Sequence, residues 1–176
     1  MKGSLNVELV FHANKSAPML EVFSDADWAN DLSDGRSVSG AIFKVFGCTV
    51  SWITRKQQTI TLSSTEAELS ALCTVAYHEM WMIRLLREQG YESKEPICFY
   101  EDNQSAMRIA EDSRDFGRVK HMDVKYHFLR DLIKNKSIVL KYLPSADRSA
   151  DMMTKGLPVS AFRHHRNNVG LMDCSG

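Results

Sequence analysis

The sequence has no long apolar run, no excess of charge of either sign and few cysteines. Because no run of about 18 apolar residues occurs among its 176 residues, we expect no membrane-spanning helix. The opening stretch MKGSLNVELVF contains one lysine and no apolar core, so we expect no secretory signal peptide. Lys and Arg together number 22, and so do Asp and Glu, which excludes the broad positive field of a histone-like protein. Any affinity for nucleic acid must therefore come from a local patch.

The four cysteines indicate neither a zinc ribbon nor a disulfide framework. They are widely spaced and form no CxxC pair, at Cys48, Cys73, Cys98 and Cys174. The first three lie in apolar stretches, where a small buried thiol is the expected state. We therefore expect a reducing compartment.

The first half of the chain has the pattern of an antiparallel meander. With 44% hydrophobic and 25% charged residues, the composition is that of a folded globular protein. Apolar and polar residues alternate over 5–11, and an apolar run covers 19–23. Two further strand-like runs, at 41–46 and 49–54, are separated by a turn at Gly47 and indicate a β-hairpin.

The second half begins with a helix signal. Ser63 and Glu66 have the spacing of a capping box, and apolar residues then recur every three or four positions towards Gly90. The later segments are predicted, in chain order, as a strand at 97–100, helices at 104–110 and 124–133, a strand at 138–143 and a short helix at 150–155. This succession predicts an α/β sandwich around one mixed sheet.

Four acidic residues lie at the ends of predicted elements. Asp25 and Asp102 follow apolar runs, each after one intervening residue, and ligands bind at the carboxyl ends of strands in open α/β sheets. Glu68 and Asp151 lie in the first turns of predicted helices, where interaction with the helix dipole is the alternative explanation. If the four converge, their repulsion requires cations, and oxygen ligands favour Mg²⁺ or Mn²⁺ over zinc. Our hypothesis is a two-ion site for in-line displacement at phosphorus.

Five short segments carry a resemblance to a known family. They are SDADWA at 24–29, LSSTEAE at 62–68, YEDNQ at 100–104, KHMDVKYHF at 120–128 and ADMMTK at 150–155. Together they resemble the ribonuclease H domain of copia-type (LTR retrotransposon) Pol polyproteins. The resemblance implies a ribonuclease H-like fold, a five-stranded mixed sheet with its first three strands antiparallel and flanked by helices. It also implies hydrolysis of the RNA strand of RNA–DNA hybrids with two Mg²⁺ ions, which Mn²⁺ can replace.

The resemblance also assigns the catalytic carboxylates. They fall on Asp25, Glu68, Asp102 and Asp151, which would also be the metal ligands. Asp25 would bridge both ions. The family's Ala-Glu pattern selects Glu68 over Glu66, in agreement with the capping role of Glu66. Related ribonucleases H have a histidine near the last acid that assists product release, and residues 145–149 contain none.

Nucleic-acid contacts are implied at five positions, namely Ser64, Thr65, Gln104, Lys120 and His121. The hydroxyl and amide groups of the first three suit ribose 2′-hydroxyls, although helix capping alone is the alternative for Ser64 and Thr65. Residues 113–136 carry seven Lys and Arg against three Asp, which fits either a binding groove or a solvated face. The three tryptophans, flanked by apolar residues, are predicted to pack in the core or between helix and sheet.

The resemblance implies a division of the chain and a set of partners. Residues 1–18 would be the tail of a preceding reverse transcriptase or connection region, 19–158 the ribonuclease H domain and 159–176 a C-terminal tail. The expected partners are an RNA–DNA hybrid and a reverse transcriptase domain in cis, in the cytoplasm or the nucleus. The alternative is a domesticated, non-catalytic domain of the same fold that binds hybrids or connects domains. An integrase would order its acids as two Asp and then Glu, which does not match.

Overall fold

A five-stranded mixed sheet is the centre of the fold in the computed structural model, which describes residues 6–12, 14–29, 33–112, 123–144 and 147–173. The elements are, in chain order, β1 (Val7–Leu9), β2 (Leu20–Asp27), β3 (Val38–Val45), β4 (Cys48–Lys56), α1 (Ser64–Glu88), β5 (Ile97–Glu101), α2 (Gln104–Glu111), α3 (Asp123–Lys134), β6 (Ile138–Tyr142), a 3₁₀ helix (Ser149–Met153), α4 (Val159–Asn168) and β7 (Leu171–Asp173). The sheet order is β4-β3-β2-β5-β6. β2, β3 and β4 pair antiparallel, whereas β2, β5 and β6 pair parallel. The predicted fold class is confirmed.

Helices α1, α2 and α3 pack together against one face of this sheet. Alternate strand residues point to the same face, so the helices cover Leu20 and Val22 of β2 together with Phe43 of β3. Leu72 of α1 and Leu129 of α3 complete this core, and both are fully buried. Burying each such side chain contributes about 1.5–3 kcal/mol. This packing fixes α1, which carries Glu68, against the sheet.

The 3₁₀ helix covers the opposite face near the carboxyl end of β2. It contacts both β2 and β3, and Ala41 of β3 faces the α-helical layer while its neighbour Gly40 faces the 3₁₀ helix. A short helix was predicted at 150–155, and the structure shows it as a 3₁₀ helix that begins at Ser149.

The two ends of the described chain form a separate small sheet. β1 pairs antiparallel with β7, with Val7 opposite Asp173. The strand predicted at 5–11 is therefore present in its central part, but it pairs outside the main sheet. Neither α4 nor β7 was predicted, because the apolar periodicity of 159–173 is weak.

Solvent exposure contradicts one prediction about side chains and supports another. The three tryptophans are not buried, since Trp28 is 48% exposed, Trp52 57% and Trp81 61%. Cys48, Cys73 and Cys98 are buried free thiols, as predicted, whereas Cys174 lies outside the described residues. Among the residues that the structure describes, no helix combines the length and apolar character needed to cross a membrane.

Candidate active site

Two parallel strands bring acidic residues to one edge of the sheet. β2 carries Asp25, and its parallel neighbour β5 ends at Glu101, directly before Asp102. Parallel strands place their carboxyl ends side by side, which is where the sequence predicted a ligand site. Asp25 is completely buried, whereas the Asp102 side chain is 17% exposed. The cluster is thus open to solvent on the Asp102 side.

The first turns of α1 direct Glu68 into the same cluster. The predicted capping box is present in a modified form. Ser63 Oγ accepts a hydrogen bond from the Glu66 N–H at 3.2 Å, whereas Glu66 Oε2 accepts one at 2.6 Å from the N–H of Leu62, the residue before the N-cap. The Glu66 carboxylate is therefore occupied at the helix end. Glu68 lies half a turn further on and is 5% exposed. The geometry is consistent with the choice of Glu68 over Glu66.

The segment around the 3₁₀ helix adds a third side to the cluster. Asp151 is buried on this helix, and Lys155 Nζ lies 2.8 Å from Asp151 Oδ2 and 3.9 Å from Asp25 Oδ2. The buried Thr154 hydroxyl donates a hydrogen bond to Asp25 Oδ2. The structure thus brings Asp25, Glu68, Asp102 and Asp151, the four acids selected from the sequence, around one centre.

Arg148 occupies that centre, and nothing in the sequence pattern singled it out. Its side chain is 3% exposed. The guanidinium contacts the four selected acids and one more: Nη2 lies 2.5 Å from Asp25 Oδ1, Nε donates to Asp151 Oδ1 at 2.7 Å, Nη1 donates to Asp102 Oδ1, and Nη1 lies 3.7 Å from Glu68 Oε1 and 3.8 Å from Glu101 Oε1. A planar group with five N–H donors can bridge several carboxylates in this way. Arg148 lies within residues 145–149, the stretch in which the resemblance implies a histidine in related ribonucleases H.

Glu101 is the fifth carboxylate, and it too was missed. Its side chain is fully buried, and Oε2 accepts a hydrogen bond from Ser24 Oγ at 2.9 Å. The N–H groups of Asp102 and Asn103 donate to Oε1 at 3.1 and 3.0 Å. The Glu101 carboxylate therefore fixes the backbone that carries Asp102. Its place beside Asp102 at a strand end was the one available signal.

Burial makes this concentration of charge costly. It raises the pKa of Asp25, an effect that Arg148 opposes. It also raises the pKa of Glu68, and the carboxylates of Glu101 and Asp25 raise it further. Burial raises the pKa of Glu101 to about 7, although the backbone N–H of Asn103 opposes the shift. Burial disfavours the charge of Arg148, but the surrounding carboxylates, Asp25 foremost, outweigh it and raise the pKa of the guanidinium.

The donor set fits a divalent cation. Oxygen atoms of Glu68, Glu101 and Asp102 lie within 4.8 Å of one another. One buried oxygen of the cluster, Glu68 Oε2, accepts no hydrogen bond among the described residues. Five ionised carboxylates against Arg148 and Lys155 would leave a net charge of −3. All ligand atoms are carboxylate oxygens, which suit Mg²⁺ or Mn²⁺.

The implied nucleic-acid contacts lie next to this cluster where the structure describes them. Ser64 and Gln104 are exposed at the first positions of α1 and α2, and Thr65 is half-buried. Ser63, not Ser64 or Thr65, supplies the side-chain cap of α1. Lys120 and His121 lie outside the described residues, as does most of the basic stretch before α3.

Comparison with known proteins gives relatives for most of the chain. No protein-family model matches it. The retrovirus-related Pol polyprotein from transposon TNT 1-94 of Nicotiana tabacum is 34% identical over 156 residues, which is 89% of this chain and 12% of that protein. The corresponding polyprotein from transposon RE1 of Arabidopsis thaliana is 32% identical over 152 residues, 86% of this chain and 10% of that protein. The chain thus spans about a tenth of the length of these relatives.

Solved structures resemble the fold. LC11-RNase H1 from compost matches with a TM-score of 0.59 at 13% identity, over 78% of this chain and 94% of that protein. LC11-RNase H1 in complex with an RNA/DNA hybrid matches with a TM-score of 0.51 at 12% identity, over 77% of this chain and 93% of that protein. At such low identity the likeness establishes the fold. The chain is therefore homologous to one segment of the copia-type, retrovirus-related Pol polyproteins, and this segment has the ribonuclease H fold.

Proposed function

We propose that the chain is a Mg²⁺-dependent endonuclease that hydrolyses the RNA strand of RNA–DNA hybrids during retrotransposon reverse transcription. The observation that carries the proposal is the convergence of Asp25, Glu68, Asp102 and Asp151 from four separate elements. Such a concentration of buried carboxylates is costly for folding and is expected where cations are used. The homologous Pol polyproteins and the fold agree with this activity.

Each carboxylate has a distinct place in the proposed reaction. Asp25 is the most deeply placed of the four and would hold both ions, with Glu68 and Asp102 completing one site and Asp151 the other. When bound, the ions would lower the pKa of the attacking water and stabilise the leaving oxygen. The bond from the water oxygen to phosphorus forms as the bond from phosphorus to the leaving ribose oxygen breaks. The partial exposure of Asp102 leaves this side open to the substrate.

Selection of the RNA strand would depend on side chains around the open side. Ser64 and Gln104 are exposed at the starts of α1 and α2, the helices whose first turns adjoin Glu68 and Asp102. Their hydroxyl and amide groups can exchange hydrogen bonds with ribose 2′-hydroxyls, which distinguish RNA from DNA. We include Thr65, Lys120 and His121 in the proposed contact surface. A reverse transcriptase domain in the same polyprotein is the proposed partner in cis.

The experiment is cleavage of an end-labelled RNA–DNA hybrid with Mg²⁺, with Mn²⁺ and with chelator. We expect the wild-type chain to cut the RNA strand in either metal and not in chelator. Asp102→Asn should abolish cutting and leave hybrid affinity largely unchanged. The matched control is Asp131→Asn, the same chemical change at an exposed position of α3, which should cut like the wild type.

A second candidate function is a non-catalytic, hybrid-binding domain. The observation that favours it is Arg148, whose guanidinium lies among the carboxylates where cations would bind. In that case the wild-type chain would bind hybrids with a strong salt dependence and cut them in neither metal. Absence of both cutting and binding would refute both functions and leave only the fold.

A further inference from the structure

Arg148 is the buried group of the site whose role the proposed reaction leaves unexplained. It is 3% exposed, yet it belongs to a segment that contacts the sheet through a single short helix. Within the described part of the chain, its ion pairs are with the cluster: Asp25, Glu68, Glu101, Asp102 and Asp151. One carboxylate is enough to neutralise a guanidinium, whereas this one reaches five.

Arg148 contacts one oxygen of every carboxylate that is proposed to hold a cation. Nη2 and Nε lie 2.5 Å and 2.7 Å from Asp25 Oδ1 and Asp151 Oδ1, and Nη1 donates to Asp102 Oδ1. A divalent cation binds carboxylate oxygens at about 2.0–2.6 Å and repels a neighbouring positive charge. The guanidinium in this position and an ion among the same oxygens therefore exclude each other.

We propose that Arg148 is a built-in counter-ion that holds the carboxylates in place before the metal binds and that must leave the cluster when it does. This inference rests on the proposed function, because it assumes that the cluster takes up divalent cations. Arg148 is thus a positioning residue whose departure is coupled to metal binding. Metal affinity is lowered by the fraction of molecules in which the guanidinium occupies the cluster.

The surroundings of Arg148 are compatible with its departure from the cluster. Lys155 stays beside Asp151 and is 35% exposed, so Asp151 retains one cationic partner when Arg148 departs. Glu68 Oε2 accepts no hydrogen bond from any residue that the structure describes, even with Arg148 in place, so the guanidinium does not satisfy the cluster completely. The departure of Arg148 from Asp25, Asp102 and Asp151 is offset by the ion that replaces it.

The first test measures binding of Mg²⁺ and Mn²⁺ by calorimetry, without nucleic acid. If Arg148 occupies the cluster about nine-tenths of the time, Arg148→Gln should bind metal about tenfold more tightly. The metal-free variant should melt at a lower temperature than the metal-free wild type. Saturating Mg²⁺ should then raise the melting temperature of the variant by more than it raises that of the wild type. Arg84→Gln, which removes the same charge at a position whose side chain is 82% exposed, is the matched control and should leave metal affinity unchanged. Equal or weaker metal binding by Arg148→Gln would overturn the proposal.

The second test uses the wild-type chain and does not depend on a variant that folds. The Arg148 Nε–H group donates to Asp151 Oδ1, so its NMR signal should be protected from exchange in the metal-free protein. Titration with Mg²⁺ should remove that protection in parallel with metal binding. A protected signal that persists at saturating Mg²⁺ would show that the guanidinium stays, and would overturn the inference even if the chain cleaves hybrids.

Failure of this inference and failure of the proposed function have different signatures. Tight metal binding with no effect of Arg148→Gln refutes the counter-ion role, whatever the outcome of the cleavage assay. If Arg148→Gln binds metal more tightly but the wild-type chain does not cleave hybrids, the counter-ion role is supported and the nuclease function is refuted.

Discussion

Gly40 lies directly opposite Asp25 in the ladder between β2 and β3, and its missing side chain leaves room for the segment that carries Asp151. A Cβ atom at position 40 would lie 2.5 Å from Thr154 Cγ2 and 2.8 Å from Met153 Cβ. The backbone at Gly40 does not require a glycine, because its φ angle lies outside the left-handed region. The glycine is needed for close approach, and this approach brings Thr154 to Asp25.

We expect Gly40→Ala to lower both stability and metal binding. The added methyl group must push the 3₁₀ helix away from the sheet, and such overpacking costs about 1–3 kcal/mol. The displacement moves Asp151 away from Asp25, so metal affinity measured by calorimetry should fall. Gly156→Ala is the control, because a Cβ atom there has no atom of the described residues within 4 Å. Unchanged metal affinity in Gly40→Ala would show that the segment adjusts without moving Asp151.

Thr154 connects this packing to the chemistry of Asp25. Thr154→Val keeps the shape but removes the hydroxyl that donates to Asp25 Oδ2, which should cost about 1–3 kcal/mol in denaturant unfolding. Loss of this donor should also raise the pKa of Asp25 further and reduce metal affinity near neutral pH. Thr154→Ser, which retains the hydroxyl, should preserve metal affinity. If the serine variant bound metal as weakly as the valine variant, the hydroxyl alone would not be sufficient, and the methyl group packed against Gly40 would be needed as well.

The neighbouring serines at the start of α1 separate a structural role from a binding role. Ser63→Ala removes the cap and should lower the free energy of unfolding by about 1 kcal/mol. Ser64→Ala removes an exposed hydroxyl and should leave stability unchanged while weakening affinity for an RNA–DNA hybrid. Denaturant unfolding and hybrid binding, measured on both variants, check the two expectations. A loss of hybrid affinity in Ser63→Ala alone would show that Ser63, and not Ser64, is important for hybrid binding.

The parts of the site that could be predicted from the sequence depend on local patterns. Asp25 and Asp102 follow apolar runs, and the capping box fixes the start of α1 and hence the inward direction of Glu68. The strand ends and helix starts meet because parallel strands place them at one edge. These local rules, together with the five matching segments, were sufficient for the fold.

The remaining residues of the site depend on contacts between distant parts of the chain. Gly40 and Thr154 matter to each other only because the 3₁₀ helix packs on β3, and no local pattern encodes that approach. Arg148 resembles any loop arginine in sequence, and its burial follows from the acids that surround it. The tryptophan prediction was wrong because flanking apolar residues do not specify which face of an element is covered.

Glu79, far from the candidate site along α1, gives a prediction about pH. Its side chain is 4% exposed, and burial raises its pKa to about 7, although Arg87 opposes the shift. The folded chain therefore holds a proton that the unfolded chain releases above its ordinary pKa of 4.5. As pH rises from 4.5 towards 7, the folded state binds more protons than the unfolded state, so this group lowers the free energy of unfolding. The loss is about 3 kcal/mol and is complete above pH 7.

Glu79→Gln removes this titration, so it should stabilise the protein at pH 8 by up to about 3 kcal/mol and have little effect at pH 4.5. Denaturant unfolding of wild type and variant at both values measures the difference. The other buried acids titrate equally in both proteins and cancel. Glu88→Gln on the same helix, with a side chain 63% exposed, is the control and should change stability by no more than about 0.5 kcal/mol at either pH. If Glu79→Gln changes stability equally at pH 4.5 and pH 8, the pKa of Glu79 is the same in the folded and unfolded states. The folded protein would then stabilise the ionised carboxylate of Glu79 despite its burial.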